Sequence, residues 1–201
     1  MQRIDVLIVA ALVLAAAGSV LGVMTYTDDR LATFTIEWDL RTSEADAPPA
    51  SRTGAGDVET TLDVTQRNLT RATFSVTVGG AAARVQPVAV RVEVVSPTND
   101  TTAVEGELPA GPGASVTLPV EVRLAEVPNA PTIQGPSLEA ARHALNETLS
   151  SSMGVGAWTI RASFAPGAPG PLAGETFTLV VRASLESYQG SVVLLGPEVG
   201  R

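Results

Sequence analysis

The sequence offers few side chains for nucleophilic or acid–base chemistry. It has no cysteine and no lysine, and His143 is its single histidine. Serine and cysteine hydrolases need a general base beside the nucleophile, and the chain has little to supply one. His143 follows Leu138 by five residues in a helical pattern, so it should point away from the apolar stripe of that helix. We therefore expect His143 to lie exposed on the surface, and we predict no catalytic residue.

Pairs of carboxylates are the remaining candidates for catalysis. Glu37 and Asp39 share the outward face of one predicted strand, and Glu105 and Glu107 share a face if their segment is extended. A glycosidase would need such a pair in a cleft, with the pKa of one carboxyl group raised. Acidic side chains lie far more often in solvent. We interpret both pairs as solvated surface charges.

A further acidic group consists of Asp57, Glu59 and Asp63. Carboxylate oxygens suit calcium, but this spacing fits no EF-hand loop. No metal site and no cofactor are therefore predicted. The whole chain has 13 basic residues against 21 acidic ones, a net charge of −8. Because binding to a phosphate backbone depends on basic patches that release counterions, this balance argues against nucleic acid as a partner.

Exposed aromatic rings, the stacking platforms of sugar-binding modules, are scarce. Only Tyr26 and Tyr188 fall outside the apolar phase of a predicted strand. The sequence therefore argues against sugar recognition through stacking. The aromatic residues predicted to lie in the core are Phe34, Trp38, Phe74, Trp158, Phe164 and Phe177.

The most specific signal is a run of nineteen residues without a charge, at positions 6–24. As a helix it would span about 28 Å, close to the hydrocarbon thickness of a bilayer. We predict a transmembrane signal anchor over residues 6–27, preceded by a short cytoplasmic tail at residues 1–5. Residues expected at the membrane interface are Arg3, Tyr26 and Arg30, and candidates for close helix packing are Gly18 and Gly22.

A cleaved signal peptide is the alternative for this segment. The alanines at positions 15–17 form an A-x-A site before Gly18. Against cleavage, the positive region is a lone Arg3 offset by Asp5, and the apolar run continues well past the proposed cut. Both interpretations carry the following domain, residues 31–201, across the membrane. The lipid bilayer is thus a predicted partner, and the domain is predicted to be extracellular.

Three of the four asparagines lie in N-x-[ST] triplets, namely Asn68, Asn99 and Asn146. Such triplets are acceptors for N-glycosylation in secreted proteins, but they also arise by chance in a threonine-rich chain. They are candidate glycosylation sites and agree with an outward-facing domain. Together with the absence of lysine and the excess of acid, they suggest an archaeal envelope glycoprotein.

Beyond Arg30 the dominant hydrophobic period is two, which is typical of half-buried strands. Seven runs show it, and a short apolar run at residues 192–195 could form an eighth strand or cap the sheets. The seven runs cover residues 34–40, 60–64, 72–78, 88–94, 116–124, 158–164 and 177–185.

Proline, glycine and one helical stripe mark the boundaries of these strands. Pro119 lies inside the fifth run, and its missing N–H places that strand at a sheet edge. Loops are predicted over residues 41–57 and 108–113, and a hairpin through residues 166–171 is expected to join the sixth and seventh strands. Ser137 is a predicted N-cap for a helix with Leu138, Ala141, Leu145 and Leu149 on its apolar side, ending before Gly154.

Short strands with proline- and glycine-rich turns in about 170 residues favour one architecture. The predicted fold class is all-β: an antiparallel immunoglobulin-like β-sandwich of seven or eight strands, with one short helical insertion and a preceding N-terminal transmembrane helix. A domain of this size can bury about 70% of its unfolded surface, so it needs no disulfide.

Two stretches carry a resemblance to a known family. Residues 156–164, GAWTIRASF, resemble the late G-x-W-x-I strand of prokaryotic immunoglobulin-like and cell-adhesion-related surface modules. Residues 62–78, two alternating strands around a polar turn, are similar to the early hairpin of those modules. The resemblance implies a sandwich used for spacing, adhesion or subunit contact. The order of anchor and sandwich also resembles the layout of accessory stator proteins of the archaellum.

Three functions remain open at this point. The first is a non-enzymatic, single-pass surface protein whose sandwich contacts other envelope proteins. The second is an accessory subunit whose helix packs within a multi-subunit membrane or surface-appendage complex, which the small residues around Gly18 and Gly22 would allow. The third is an envelope hydrolase that uses a carboxylate pair, and the sparse catalytic inventory favours it least.

Overall fold

A computed structural model describes residues 32–54, 56–81, 84, 86–129, 132–135, 137–148, 150–164 and 174–195. These residues belong to two compact units. The larger unit comprises Trp38–Asn129 and Leu149–Gly190. The smaller unit comprises the described parts of Met1–Glu37, Ala130–Thr148 and Ser191–Arg201.

The described part of the chain is all-β apart from one short helix. The two longest strands, β1 and β10, run through both units. In chain order the elements are β1 (Ala32–Asp46), β2 (Ala50–Thr53), β3 (Val58–Val64), β4 (Leu69–Gly80), β5 (Val88–Val95), β6 (Thr101–Leu108), β7 (Ser115–Arg123), β8 (Thr132–Gly135), α1 (Leu138–Thr148), β9 (Gly156–Phe164) and β10 (Thr176–Leu194).

The larger unit is a sandwich of two sheets. In one sheet the strand order is β7-β4-β10-β1, with β2 paired to β10; in the other it is β3-β9-β5-β6. Every strand pair with an assigned register is antiparallel. Alternation puts one side of each strand inside, as in β3, where every second side chain from Val58 is buried. The predicted antiparallel β-sandwich is confirmed.

The core between the sheets is built from the apolar phase of the strands. Its largest fully buried side chains include Trp158, Phe74 and Phe177. The rings of Phe74 and Trp158 lie 5.1 Å apart, and those of Phe164 and Phe177 lie 4.0 Å apart. Trp158 also donates a hydrogen bond of 2.9 Å from Nε1 to the carbonyl oxygen of Gly154, so its polar atom is satisfied inside the core.

The strand that contains Pro119 lies at a sheet edge, as predicted. Among the described strands β7 pairs with β4 alone, and Pro119 stands opposite Ser75. The neighbouring edge of the other sheet is β6, where Gly106 leaves room for Leu118. A Cβ on Gly106 would approach Cδ2 of Leu118 to 2.5 Å. Leu118 thus packs directly on the backbone of β6, which only glycine allows at this distance.

The strand pairing corrects several predictions. The predicted loop over residues 41–57 instead contains the end of β1 and all of β2, and β6 and β8 are further strands that the hydrophobic period did not indicate. The expected hairpin between the sixth and seventh runs is wrong, because β9 and β10 belong to different sheets. β3 and β4, which the family resemblance predicted to form an early hairpin, also belong to different sheets. Leu40, expected in the core, is 54% exposed.

The smaller unit combines strand ends with the helix. The start of β1 pairs with β8, from Ala32 opposite Gly135 to Thr35 opposite Thr132. The amide of Ala140 donates to Oγ of Ser137, which confirms the predicted N-cap. Ala141 and Leu145 are buried as expected, whereas Leu138, at the first helical position, is 38% exposed. Leu149 lies outside the described residues.

Candidate functional site

The carboxylates singled out from the sequence lie on the surface beside arginines. Asp39 pairs with Arg41 at 3.2 Å, and Glu105 lies 3.9 Å from Arg91. Glu37 and Glu107 are exposed. Neither pair lines a closed cleft in the part of the chain that the structure describes, so their arrangement suits solvation of the surface rather than acid–base chemistry.

The acidic group proposed for calcium is arranged around an arginine. Arg161 donates to Oε2 of Glu59 from Nη2 at 2.7 Å and from Nε at 3.0 Å, and its Nε lies 3.9 Å from Asp57. The hydrogen bond to Glu59, followed by the charges of nearby acids, raises the pKa of Arg161. Asp63 is exposed farther along β3. Among the residues described, no three histidine or acidic side chains are grouped to hold a metal ion.

His143 is exposed on α1, as predicted. The aromatic prediction needs one correction: Tyr188, expected to be a spare ring, is only 4% exposed. Its ring meets that of Trp38 edge-on, with centroids 5.2 Å apart. Burial raises the pKa of the Tyr188 phenol. Trp38 is half-buried, and its buried Nε1 has no hydrogen-bond partner among the described residues.

The outer face of the four-stranded sheet is acidic and carries an open groove. The groove has a volume of about 520 Å³ and is lined by Phe164, Ser163, Arg91, Asp57 and Glu105, among others. Arg91 also pairs with Glu93 at 2.9 Å, so its positive charge is already neutralised. Such a groove can accept a polar group, but it contains no nucleophile with a base. The outward positions of this sheet hold six carboxylates and two arginines: Asp57, Glu59, Asp63, Glu93, Glu105, Glu107, Arg91 and Arg161.

The outer face of the other sheet differs in chemistry. We define the hydroxyl face as the outward residues of β7, β4 and β10 that are brought together by the strand register. The hydroxyls of Thr77 on β4 and Thr117 on the neighbouring strand β7 lie 2.9 Å apart. Val180 stands beside Thr77 on the third strand and is 42% exposed. The hydroxyl face consists of Thr73, Ser75, Thr77, Ser115, Thr117, Pro119, Thr178, Val180, Arg182 and Ser184.

Of the charges on this side of the sandwich, Arg182 stands within the hydroxyl face, opposite Ser75, and Glu121 lies at its end, opposite Thr73. Arg71 lies 3.7 Å from Glu121, and Arg182 lies 3.8 Å from Asp46. A second open groove of about 510 Å³ runs past Arg71 and Glu186. Sequence reasoning missed the hydroxyl face, because serine and threonine at alternate positions look like ordinary solvent-facing strand residues.

Two of the three sequon asparagines occupy special backbone positions. Asn68 has φ of 58° and Asn99 has φ of 67°. The Oδ1 of Asn68 accepts a 2.6 Å hydrogen bond from the amide of Ser151, and the Asn68 amide donates to the Ser151 carbonyl at 2.9 Å. Asn68 therefore holds the segment before β9 against the start of β4. Asn99 is exposed in the turn between β5 and β6, and Asn146 is exposed on α1. Glycosylation at these three positions stays a prediction.

The predicted anchor lies outside the described residues, and with it Arg3, Gly18, Gly22, Tyr26 and Arg30. No helix within the described ranges has the length and apolar character needed to cross a bilayer. The retained anchor and the cleaved leader therefore both stay predictions from the sequence.

The fold of the described residues is that of an all-β sandwich with one short helix. No family model matches the sequence, and no curated protein is significantly similar to it. Among solved structures, a family 16 carbohydrate-binding module is 9% identical over 71% of this chain and 74% of that chain, with a TM-score of 0.25. A VP2 subviral particle of infectious bursal disease virus is 10% identical over 77% and 39%, with a TM-score of 0.31. The chain thus spans less than half of the viral protein. Neither likeness is close enough to carry a functional argument.

Proposed function

We propose that this chain is a non-enzymatic, single-pass membrane protein whose extracellular sandwich contacts other proteins of the cell envelope. The observation that carries the proposal is the uncharged nineteen-residue run at positions 6–24, followed after seven residues by the first strand. The same proposal includes a relationship of the sandwich to prokaryotic immunoglobulin-like surface modules and an archaeal origin of the chain.

Fractionation of cells expressing the full chain tests the anchor. A retained helix keeps the intact chain in the membrane pellet after an alkaline carbonate wash, because the wash removes only peripheral proteins. A cleaved leader instead releases a shortened chain whose N-terminal residue follows position 17. Recovery of the intact chain from the cytosol would refute the proposal.

The hydroxyl face is the contact surface we assign to the sandwich. Because the chain has a net charge of −8, an acidic envelope neighbour would be repelled by the six carboxylates on the opposite sheet. The hydroxyl face contains one charged side chain, that of Arg182, and its hydroxyls can donate or accept hydrogen bonds. The exposed Val180, beside Thr77, adds an apolar side chain that a partner can cover.

Two matched substitutions test this surface. Thr77 and Thr159 are both half-buried, outward-facing threonines on inner strands, the first on the hydroxyl face and the second on the acidic face. We expect Thr77→Arg to weaken association with a co-purifying envelope protein about 30-fold, as loss of a central contact does, and Thr159→Arg to leave it unchanged. Association is measured in gently solubilised membranes, with matching thermal unfolding of both variants as the folding control.

Equal loss in both variants would place the contact elsewhere, and a wild-type chain with no stable partner in any mild detergent would refute the contact role.

The accessory-subunit alternative is tested separately. Gly18→Leu together with Gly22→Leu should be tolerated by a simple tether, whereas a helix packed against other membrane helices loses its small-residue surface and dissociates.

A further inference from the structure

The end of β10 exposes three consecutive apolar side chains. Val193 is 37% exposed, Leu194 is 55% exposed and Leu195 is 45% exposed. We call these three residues the β10 tip. Successive side chains of a strand point to opposite faces, so the tip is apolar on both faces. Elsewhere along β10, from Phe177 to Leu185, the apolar side chains are buried on one face only.

One backbone edge of the β10 tip has no partner strand among the residues that the structure describes. The pairing of β10 with β4 ends at Ser187, so within the described ranges only β1 accompanies the tip. An exposed apolar strand edge attracts other strands, and proteins normally protect such edges with charge, proline or a bulge. The residues of the tip supply none of these, which indicates that something other than water covers it in the mature protein.

The position of the tip identifies what covers it. The amide of Leu195 donates a 2.9 Å hydrogen bond to the carbonyl oxygen of Thr33, so the tip lies beside the second residue of β1. Residues 25–31 connect the predicted membrane segment to Ala32. Seven residues reach at most about 25 Å even when fully extended. A chain anchored through residues 6–24 therefore holds the start of β1 within about that distance of the membrane segment, and the tip lies beside the second residue of β1.

We propose that the β10 tip rests on the bilayer surface, with its apolar side chains in the headgroup and upper acyl region. The inference rests on the anchor proposed above. Three small apolar side chains suit a shallow interfacial contact, because the unpaired strand edge still needs water for its N–H and C=O groups and cannot enter the hydrocarbon core. Within the described ranges no cluster of basic residues adjoins the tip, so the contact should depend on apolar side chains and not on anionic lipid.

Site-specific fluorescence tests the contact, and the absence of native cysteine makes labelling unambiguous. Leu194→Cys in the full chain is labelled with an environment-sensitive NBD dye and reconstituted in phosphatidylcholine vesicles. We expect blue-shifted emission that is quenched by lipids with a spin label near the headgroup. Ser191→Cys, exposed three residues earlier on the same strand, is the matched control and should be quenched less. Adding Val193→Ser and Leu195→Ser should abolish the blue shift and the quenching at position 194.

The outcomes separate the tip contact from the anchor. If the chain fails to float with the vesicles, the anchor is refuted and the tip contact falls with it. If the chain floats but the dye at position 194 reports water, the tip contact alone is refuted. A blue shift without quenching by spin-labelled lipid would show that protein covers the tip, either a second copy or another segment of this chain, and would also overturn the inference.

Discussion

The ion pair between Arg84 and Glu175 gives the sharpest test of how the sandwich is held together. Nη1 of Arg84 lies 2.6 Å from Oε1 of Glu175, and their side chains are 8% and 4% exposed. The guanidinium lies 5.8 Å from the ring centroid of Phe177. Glu175 lies just before β10, and the Arg84 carbonyl accepts a hydrogen bond from Gly111. The pair therefore ties three separate segments together.

We expect Glu175→Gln to lower the free energy of unfolding by about 3–5 kcal/mol, because it leaves the Arg84 charge buried without a counter-charge. The Nε of Arg84 is already buried without a hydrogen-bond partner among the described residues, so little in that environment can compensate. For a domain of this size the loss corresponds to a melting temperature about 6–20 °C lower. Thermal unfolding followed by circular dichroism in mild detergent measures it.

Two controls make this prediction decisive. Glu59→Gln removes the partner of Arg161, an ion pair of 2.7 Å whose side chains are 44% and 47% exposed, and should cost less than about 1 kcal/mol. Replacing both buried partners, with Arg84→Met and Glu175→Leu, removes the uncompensated charge and should recover most of the loss. If Glu175→Gln costs no more than Glu59→Gln, the pair is solvated and the reasoning is wrong.

Three further predictions follow from close contacts. Gly106→Ala should destabilise the chain by about 1–3 kcal/mol in denaturant titration, because the new Cβ meets Leu118 at 2.5 Å, and Leu118→Ala should rescue part of the loss. Asn68→Ala should cost about 1–3 kcal/mol, because it unpairs the Ser151 amide, while Asn68→Asp should keep the acceptor and cost less; equal losses would contradict this role. Burial raises the pKa of Tyr188 in the folded state, so the unfolded state ionises first and stability should fall as pH rises above about 10. Tyr188→Phe should flatten that fall in urea titrations across pH, and an unchanged slope would contradict it.

The strands that were predicted are those whose apolar residues alternate strongly, such as β5 and β9, because burial of one face imposes a period of two. β6 was missed because TTAVEGEL has little apolar content at its inward positions, and its edge position between β5 and solvent demands no more. The buried pair of Arg84 and Glu175 joins residues 91 apart, and nothing in either local sequence marks them as partners. Contacts of this kind follow from sheet order, which a hydrophobic period does not specify.

The two misplaced side chains, Leu40 and Tyr188, have a common physical origin. At the start of β1 the buried side chains are at even-numbered positions, Phe34 and Ile36. The next buried side chain, Ala47 just beyond the strand, is at an odd-numbered position. Leu40 lies between them, where the even-numbered side chains are exposed. In β10 burial changes from odd-numbered positions, as at Leu185, to an even-numbered one at Tyr188. The register of β10 with β4 shifts between residues 186 and 187. One extra residue in a strand reverses which face every later side chain occupies. A period of two, extended along the 19 residues of β10, must therefore fail beyond its register shift.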